Sequence, residues 1–338
     1  MYDVVIIGGG AAGLMTAARL IHYKSNLSIL ILEKNNKLGK KLLLTGNGRC
    51  NLGNTNIISD NYLTSNKRIL DFIINNENIE NLFYDLGILV KEEEGRLYPY
   101  SMQSKTVVNA FTKYLLSNNV SIRYNTVVEK IEKKHNIFVI DDEVKARYVV
   151  LTTGGASYEN TGSSKENYNL VKDFNHNIIP ITPALVPLKT SINLKPLDGV
   201  RIDAKVSLYN NNVNIYEEYG QIQFTKKYIS GICIFNISLF IKEFKNTKIK
   251  CDLMNEYGYE EVKEILFNTI NKYKEYSLCD VLSNVLNDKV AEFIANKFKN
   301  KKVKLLSEQD INNIIKEIKE LEFDIIDTTS FDMAQITK

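Results

Sequence analysis

Gly8-Gly9-Gly10-Ala11-Ala12-Gly13 reads GxGxxG, and Glu33 follows twenty residues after Gly13. Residues of these types at this spacing can hold a dinucleotide. Gly8 permits a tight turn. Gly10 lets the backbone approach a pyrophosphate that any Cβ would keep away, and Gly13 lets a helix close on a strand. The helix N-terminus would offer the phosphates N–H groups and partial positive charge. A carboxylate at Glu33 would accept hydrogen bonds from ribose hydroxyls and repel a 2′-phosphate, which disfavours NADP at this site. The bland alternative is a glycine-rich turn with no ligand.

The flanking elements decide against that alternative. Asp3–Ile7 is a short apolar run that reads as a buried parallel strand. Ala11–Tyr23 has helical composition, and Leu27–Leu32 reads as a second buried strand. Strand, glycine turn, helix and strand within this length is the context the motif requires.

A second stretch, Lys37-Leu-Gly-Lys-Lys-Leu-Leu-Leu-Thr-Gly-Asn-Gly-Arg-Cys-Asn51, sits in a glycine- and asparagine-rich segment, Lys34–Asn56, that reads as a long ordered loop. Its small and amide residues suit packing against a large flat cofactor. A third, Val149-Val-Leu-Thr-Thr-Gly-Gly155, is a strand ending in Thr and Gly, like the second fingerprint of flavoproteins that bind two dinucleotides. Both favour FAD over NAD. No second GxGxxG occurs, so no separate nicotinamide-binding domain is expected.

Each further candidate carries a structural alternative. Cys50 could serve as a redox or acid group, but a disulfide-exchanging flavoenzyme needs a second nearby cysteine. A small buried, cofactor-lining residue is favoured. Arg49 could contact a phosphate or an anionic flavin or substrate group, or brace the loop by an ion pair. Lys37, Lys40 and Lys41 are individually expected in solvent, though one of them could contact a phosphate. Tyr98 and Tyr100, around Pro99, could wall a ligand pocket or fill a core.

Further along, Ile57–Val90 suggests helices, and Gly95–Ser101 a turn or edge segment. Gln103–Leu116 reads as a helix that Ser101 or Ser104 could cap. Val120–Ile140 reads as two strands and Val144–Leu151 as a buried strand. Four of the five prolines fall at 180, 183, 187 and 196, marking a crossover between domains. Val200–Phe224 reads as strands with turns at Asn210–Asn212 and Tyr219–Gly220. Glu260–Leu321 is mostly helical.

Composition bounds the rest. With 338 residues, 44% hydrophobic and 25% charged, the chain suits about two soluble domains. A net charge of +3 selects no partner, since a neutral protein can carry a local basic patch. Four scattered cysteines and three histidines form no metal-binding pattern, so no metal is expected. A reduced, cytoplasmic setting is expected, with no leader peptide and no membrane partner. Oligomeric state is not legible.

Several segments together resemble one family: GGGAAGLMTA, LEKNNKLGKKLLLTGNGRCNLGN, GRLYPYSMQSKTVV, LTTGGASYENTGSS and ITPALVPL. They are similar to bacterial NAD(P)/FAD-dependent oxidoreductases that include 3-dehydro-bile-acid reductase-like and aminoacetone-oxidase-like proteins and a ribosomal-RNA dihydrouridine synthase. The resemblance is densest over residues 2–187 and returns at Phe331–Gln335. It implies an α/β, Rossmann-like FAD-binding domain over 1–187 and 326–338. An inserted substrate domain over 188–325 would be β-rich to 255 and helical beyond. It implies FAD contacts at Gly8, Gly10, Ala12, Gly13, Glu33, Lys34, Lys40, Gly48, Arg49, Cys50 and Asn51. Val128 would lie near the adenine, and Thr153 and Gly154 near the pyrophosphate.

The implied reaction is reduction of an electron-poor conjugated C=C bond with NAD(P)H, in ribosomal-RNA uridine or in a small 3-oxo-enone. Tyr98, Tyr100 and Lys226 are candidates for the proton donor. Three departures stand out. Glu159 replaces the family's usual proline. Lys226 and Ile232 replace the histidine and proline of FTHxGxSGP, which would change proton transfer if that histidine faces the flavin. The chain also stops at Lys338, where the family continues with a glycine-rich return to the flavin. A truncated chain is therefore expected, with a catalytically inactive flavin- or nucleotide-binding protein as the alternative function.

Overall fold

The computed structural model describes residues 1–24, 26–64, 66–76 and 79–338, so Ser65, Glu77 and Asn78, within the stretch expected to be helical, lie outside the described residues. The chain divides into two units, Met1–Ile179 and Pro180–Lys338.

The first unit opens with β1 (Tyr2–Ile7), α1 (Ala11–Tyr23) and β2 (Ile29–Leu32). β3 (Gly53–Asn54), α2 (Lys67–Asn76), α3 (Ile79–Asp85), β4 (Val90–Glu93) and β5 (Arg96–Pro99) follow. It closes with α4 (Ser104–Ser117), β6 (Ser121–Arg123), β7 (Ile131–Lys134), β8 (Ile137–Ile140) and β9 (Val144–Leu151). A six-stranded sheet runs β6-β2-β1-β9-β8-β7. Its first four strands are parallel, with Ile6 opposite Ile31 on one side and Val150 on the other.

β1 lies at the centre because its apolar run fits burial on both faces. Val4 and Ile6 pack on Leu14, Ala17, Ala18 and Ile21, which recur at helical spacing along α1. Val5 and Ile7 pack on the opposite face, with Leu30, Leu32 and Leu170. β2 and β9 flank β1, so chain order reverses there. That reversal opens a crevice at the carboxyl ends of the strands.

Several local expectations are corrected. Gly95–Ser101 supplies β5, the central strand of a small β3-β5-β4 sheet rather than an edge. Pro99 is the last residue of the strand, beyond the two residues that pair with β3. Neither serine caps α4: Ser101 donates to Thr106 Oγ1, and Ser104 donates to the Leu43 carbonyl. Val120–Ile140 holds three strands, not two. β9 is not buried throughout, since Tyr148 is exposed.

The second unit contains β10 (Pro183–Ala184), β11 (Leu188–Thr190), β12 (Arg201–Asn210), β13 (Val213–Phe224), β14 (Ile229–Ser230), α5 (Ile232–Ser238) and β15 (Thr247–Asp252). The helices α6 (Tyr259–Lys272), α7 (Leu278–Leu282), α8 (Asp288–Lys297) and α9 (Glu308–Lys319) precede β16 (Leu321–Thr328) and β17 (Ile336–Thr337). A closed barrel runs β11-β14-β13-β12-β15-β16. Alternating residues fill it, among them Ala204, Val206 and Leu208 of β12 and Leu321, Phe323 and Ile325 of β16.

Asn211 and Asn212, both at positive φ, close the β12–β13 hairpin. The expected turn at Tyr219–Gly220 is absent, and β13 runs straight through it. Gly220 is small for packing: a Cβ there would stand 3.2 Å from the Cys233 Cβ on α5. Phe331–Gln335, where the family resemblance returns, is turn and bend, and the strand that follows it, β17, pairs with β10.

Candidate dinucleotide site

A cavity of about 810 Å³ opens in the first unit at the carboxyl ends of β1, β2 and β9. That volume is within the usual range for a ligand site. Gly8, Gly10, Ala11 and Ala12 line it from the start of α1. No side chain caps that helix, and no acidic residue sits in its first turn. Its N-terminal N–H groups and dipole therefore favour an anion.

The glycines differ in what they do. A Cβ on Gly8 would strike the Thr152 carbonyl, and φ there is +103°. A Cβ on Gly13 would collide with the Gly8 carbonyl oxygen. A Cβ on Gly10 would meet nothing within 4 Å. Because Gly10 lines the cavity, its missing side chain leaves space for a ligand rather than for protein. This is the cradle a pyrophosphate needs, so the residues present fit the ADP half of FAD.

Glu33, the residue after β2, is buried, at 6% exposure. Its Oε2 accepts from the Gly9 N–H at 2.7 Å, which ties the strand end to the glycine turn. Its Oε1 accepts from the backbone N–H and the Nδ2 of Asn35, at 2.8 and 2.6 Å. Asn35 Nδ2 also donates to the Thr161 carbonyl at 3.2 Å. Lys41 Nζ donates to the Ser157 carbonyl at 2.8 Å and stands 5.7 Å over the Tyr158 ring. Burial pushes the Lys41 ammonium below the usual lysine range. Two contacts thus lace the segment after β2 to the loop after β9, across the cavity.

That loop is tightly wound. Tyr158 lies in the left-handed region at φ +59°, and Thr161 Oγ1 donates to its carbonyl at 2.7 Å. A left-handed tyrosine is uncommon and is held by its surroundings. Glu159 starts the short 3-10 turn Glu159–Thr161. Asn167 Nδ2 reaches back to the Thr153 carbonyl at 3.2 Å. At the strand ends, Thr152 Oγ1 lies 2.8 Å from the Gly8 carbonyl and 3.0 Å from that of Ile7.

The structure brings part of the expected set together. Gly8, Gly10, Ala12, Glu33, Lys34, Lys40, Val128, Thr153 and Gly154 all line the cavity. Gly13 lies beneath it, in the helix-strand contact. Gly48, Arg49, Cys50 and Asn51 do not line it, although Leu42 and Thr45 of the same loop do. Cys50 is 1% exposed in the core with α1 and α4, and burial raises its thiol pKa. Arg49 sits 4.7 Å over the Tyr98 ring and 3.8 Å from Glu93 Oε2. Asn51 Oδ1 accepts from the Gly53 N–H.

Tyr98 is buried at 4% and Tyr100 exposed at 63%, and neither lines the cavity. Lys226 belongs to the second unit, exposed in the β13–β14 turn and 3.8 Å from Asp198 Oδ2. Ile232 starts α5, exposed.

Sequence reasoning missed Asn35 and expected Lys41 in solvent. Both line the cavity and hold its walls. Its place two residues after Glu33 is the one signal that could have found Asn35. Among the described residues no group of acidic, His or Cys side chains could hold a metal ion. No described helix is long and apolar enough to cross a membrane.

Residues 2–204 match the family described as HI0933-like protein Rossmann domain, and residues 182–336 match the HI0933-like protein barrel and H2TH domain. A 3-dehydro-bile acid delta(4,6)-reductase of Clostridium scindens is 31% identical, covering 99% of this chain and 86% of its own. Ribosomal RNA dihydrouridine synthases of Haemophilus influenzae and Escherichia coli are 25% and 26% identical, covering 83% and 80% of this chain and 70% of each of theirs.

Proposed function

The chain belongs to the HI0933-like family of flavoprotein oxidoreductases, and on that premise we propose that it reduces an electron-poor conjugated C=C bond of a small enone with NAD(P)H. What supports this is the cavity at the β1 switch point, lined by Gly10, whose missing side chain leaves open space at the α1 N-terminus, and by the buried Glu33 carboxylate. FAD, when bound, supplies the two-electron redox chemistry that no side chain can. The protein's part is to bind, orient and exclude water. Gly8, Gly10, Ala12 and the α1 N-terminus would hold the phosphates, Glu33 the ribose, and Val128 the adenine side. Lys34, Lys40, Lys41, Thr153 and Gly154 would complete the wall. An acid must protonate the carbon beside the reduced one; Tyr98 and Tyr100 of the first unit, expected for that part, do not line the cavity.

A small enone is favoured over RNA for two reasons. The relative named as a bile-acid reductase aligns with nearly the whole chain. The lysine run at 297–304 is also largely committed to carboxylates: Lys297 to Glu317, Lys301 to Asp310, Lys302 and Lys304 to Glu275. Paired cations give an RNA backbone less to bind than a free basic face would. Uridine in ribosomal RNA remains the second proposal, motivated by the dihydrouridine synthases among the relatives.

The test begins with the visible spectrum of the purified chain. The expected result is a flavin spectrum that NADH or NADPH bleaches without oxygen and that a 3-oxo-enone restores. Absence of flavin absorbance after added FAD would overturn the proposal.

A further inference from the structure

The hydrogen bonds of Glu33 leave it less capacity than a free carboxylate has. An ionised carboxylate offers about four acceptor positions, two on each oxygen. On Oε1 both are filled, by the N–H of Asn35 at 2.8 Å and by its Nδ2 at 2.6 Å. On Oε2 one is filled, by the Gly9 N–H at 2.7 Å. A single position remains, and it is on Oε2. A ribose presents two neighbouring hydroxyls.

Asn35 is not free to withdraw and release Oε1. Its Nδ2 also donates to the Thr161 carbonyl at 3.2 Å, and its Oδ1 accepts from Lys40 Nζ at 3.3 Å. Its own carbonyl accepts from the Asn125 N–H at 3.0 Å. Gly162 closes over it, since a Cβ there would stand 2.6 Å from Nδ2. Every polar atom of Asn35 is engaged, and the partners come from three separate segments of the first unit.

We propose that Glu33 holds the nucleotide ribose by one hydrogen bond, through Oε2, and that Asn35 is the positioning residue that withholds Oε1. This assignment rests on the dinucleotide site proposed above, not on the identity of the substrate. One ribose hydroxyl is then read by the carboxylate and the other is not. The same asparagine ties that contact to the Tyr158–Ser163 loop through Thr161.

Calorimetric titration of the full flavin-free chain with ADP, 2′-deoxy-ADP and 3′-deoxy-ADP tests it. One deoxy analogue should bind about tenfold or more weakly, as expected for losing a hydrogen bond to a charged group. The other should bind within about twofold of ADP. In Asn35→Ala, Oε1 becomes available and the silent hydroxyl should now matter, so the second analogue also weakens relative to ADP. A merely structural role would weaken all three ligands together and leave their ratios unchanged. Asn35→Ser serves the same comparison if the alanine variant does not fold. Equal losses for both analogues in the wild type, or unchanged ratios in the variants, would overturn the inference alone. No adenine-nucleotide binding by the wild type would overturn the dinucleotide site with it.

Discussion

Gly13 faces the carbonyl oxygen of Gly8 so closely that no methyl group fits between helix and turn, while Gly10, three residues earlier, faces only the cavity. The two glycines should therefore fail differently. Gly13→Ala would also press on Thr152 Oγ1, 2.8 Å from its new Cβ. Overpacking of this kind costs about 1–3 kcal/mol. The thermal midpoint should fall by roughly 2–4 °C for each kcal/mol in a unit of this size. Gly10→Ala should leave the midpoint of the flavin-free protein unchanged and abolish flavin retention. Thermal unfolding and the flavin spectrum of both variants separate the effects. Normal flavin content in Gly10→Ala would remove the pyrophosphate from this position.

Lys41 holds an ammonium against burial, with the Ser157 carbonyl as its hydrogen-bond partner. A lysine whose pKa is lowered on folding is a cost below its unfolded pKa, and that cost disappears only as pH rises above it. An anion in the cavity would offset the cost at neutral pH. Lys41→Met should therefore leave the flavin-free protein as stable as the wild type or slightly more so. It should also weaken FAD binding by about tenfold, the value of one charge-assisted hydrogen bond. Fluorescence titration with FAD, beside melting curves, measures both. A strong loss of stability with unchanged affinity would make Lys41 a structural brace instead.

The buried thiols give a pH dependence with a definite sign. Burial raises the thiol pKa values of Cys50 and Cys251 and carries Cys233 from 9.0 to about 11. A raised thiol contributes stability that is complete below its unfolded pKa and is lost as pH climbs through the folded value. Melting temperature should fall as pH rises from 9.0 to about 11, and the fall should be shallower in Cys233→Ala. At neutral pH half-buried Cys279 should react first with iodoacetamide, with Cys50, Cys233 and Cys251 slow. Peptide mass spectrometry after brief labelling checks this. Cys50 modified as fast as Cys279 would argue for a reactive thiolate.

The sequence made the first unit's central layer legible because its signals are local. An apolar run ending in Gly8, a helix with Leu14, Ala17, Ala18 and Ile21 on one face, and Glu33 at a fixed distance depend only on their neighbours. The barrel was less legible. Gly220 looked like a turn, yet its smallness answers to Cys233, thirteen residues away in the chain. The tie from Asn35 to Thr161 was hidden for the same reason, since the two lie 126 residues apart. Cys50 and Arg49 sit in a motif that resembles a cofactor loop. Positive φ at Gly46, Asn47, Gly48 and Cys50 coils that loop, and Thr45 rather than Cys50 lines the cavity. Spacing alone does not reveal where a chain with four left-handed residues will point.

Substrate class should appear first in the response to salt. A protein that neutralises several phosphates of RNA loses about 10³–10⁵ in affinity between roughly 50 and 200 mM salt, whereas an uncharged enone releases no counterions. Lys297, Lys301, Lys302 and Lys304 already face Glu317, Asp310 and Glu275, so few of their charges are available to an RNA backbone. Turnover of a small 3-oxo-enone should change less than about threefold across that range. Charge-neutralising substitutions Lys299→Gln and Lys302→Gln should leave it unaffected. Mass spectrometry of ribosomal RNA from a strain lacking the gene is the counterpart measurement. Loss of a dihydrouridine in that strain, restored by the wild-type chain, would transfer the reaction to RNA. Unchanged dihydrouridine together with salt-insensitive enone turnover would leave the small molecule as the substrate, with the cavity at β1 unchanged in either case.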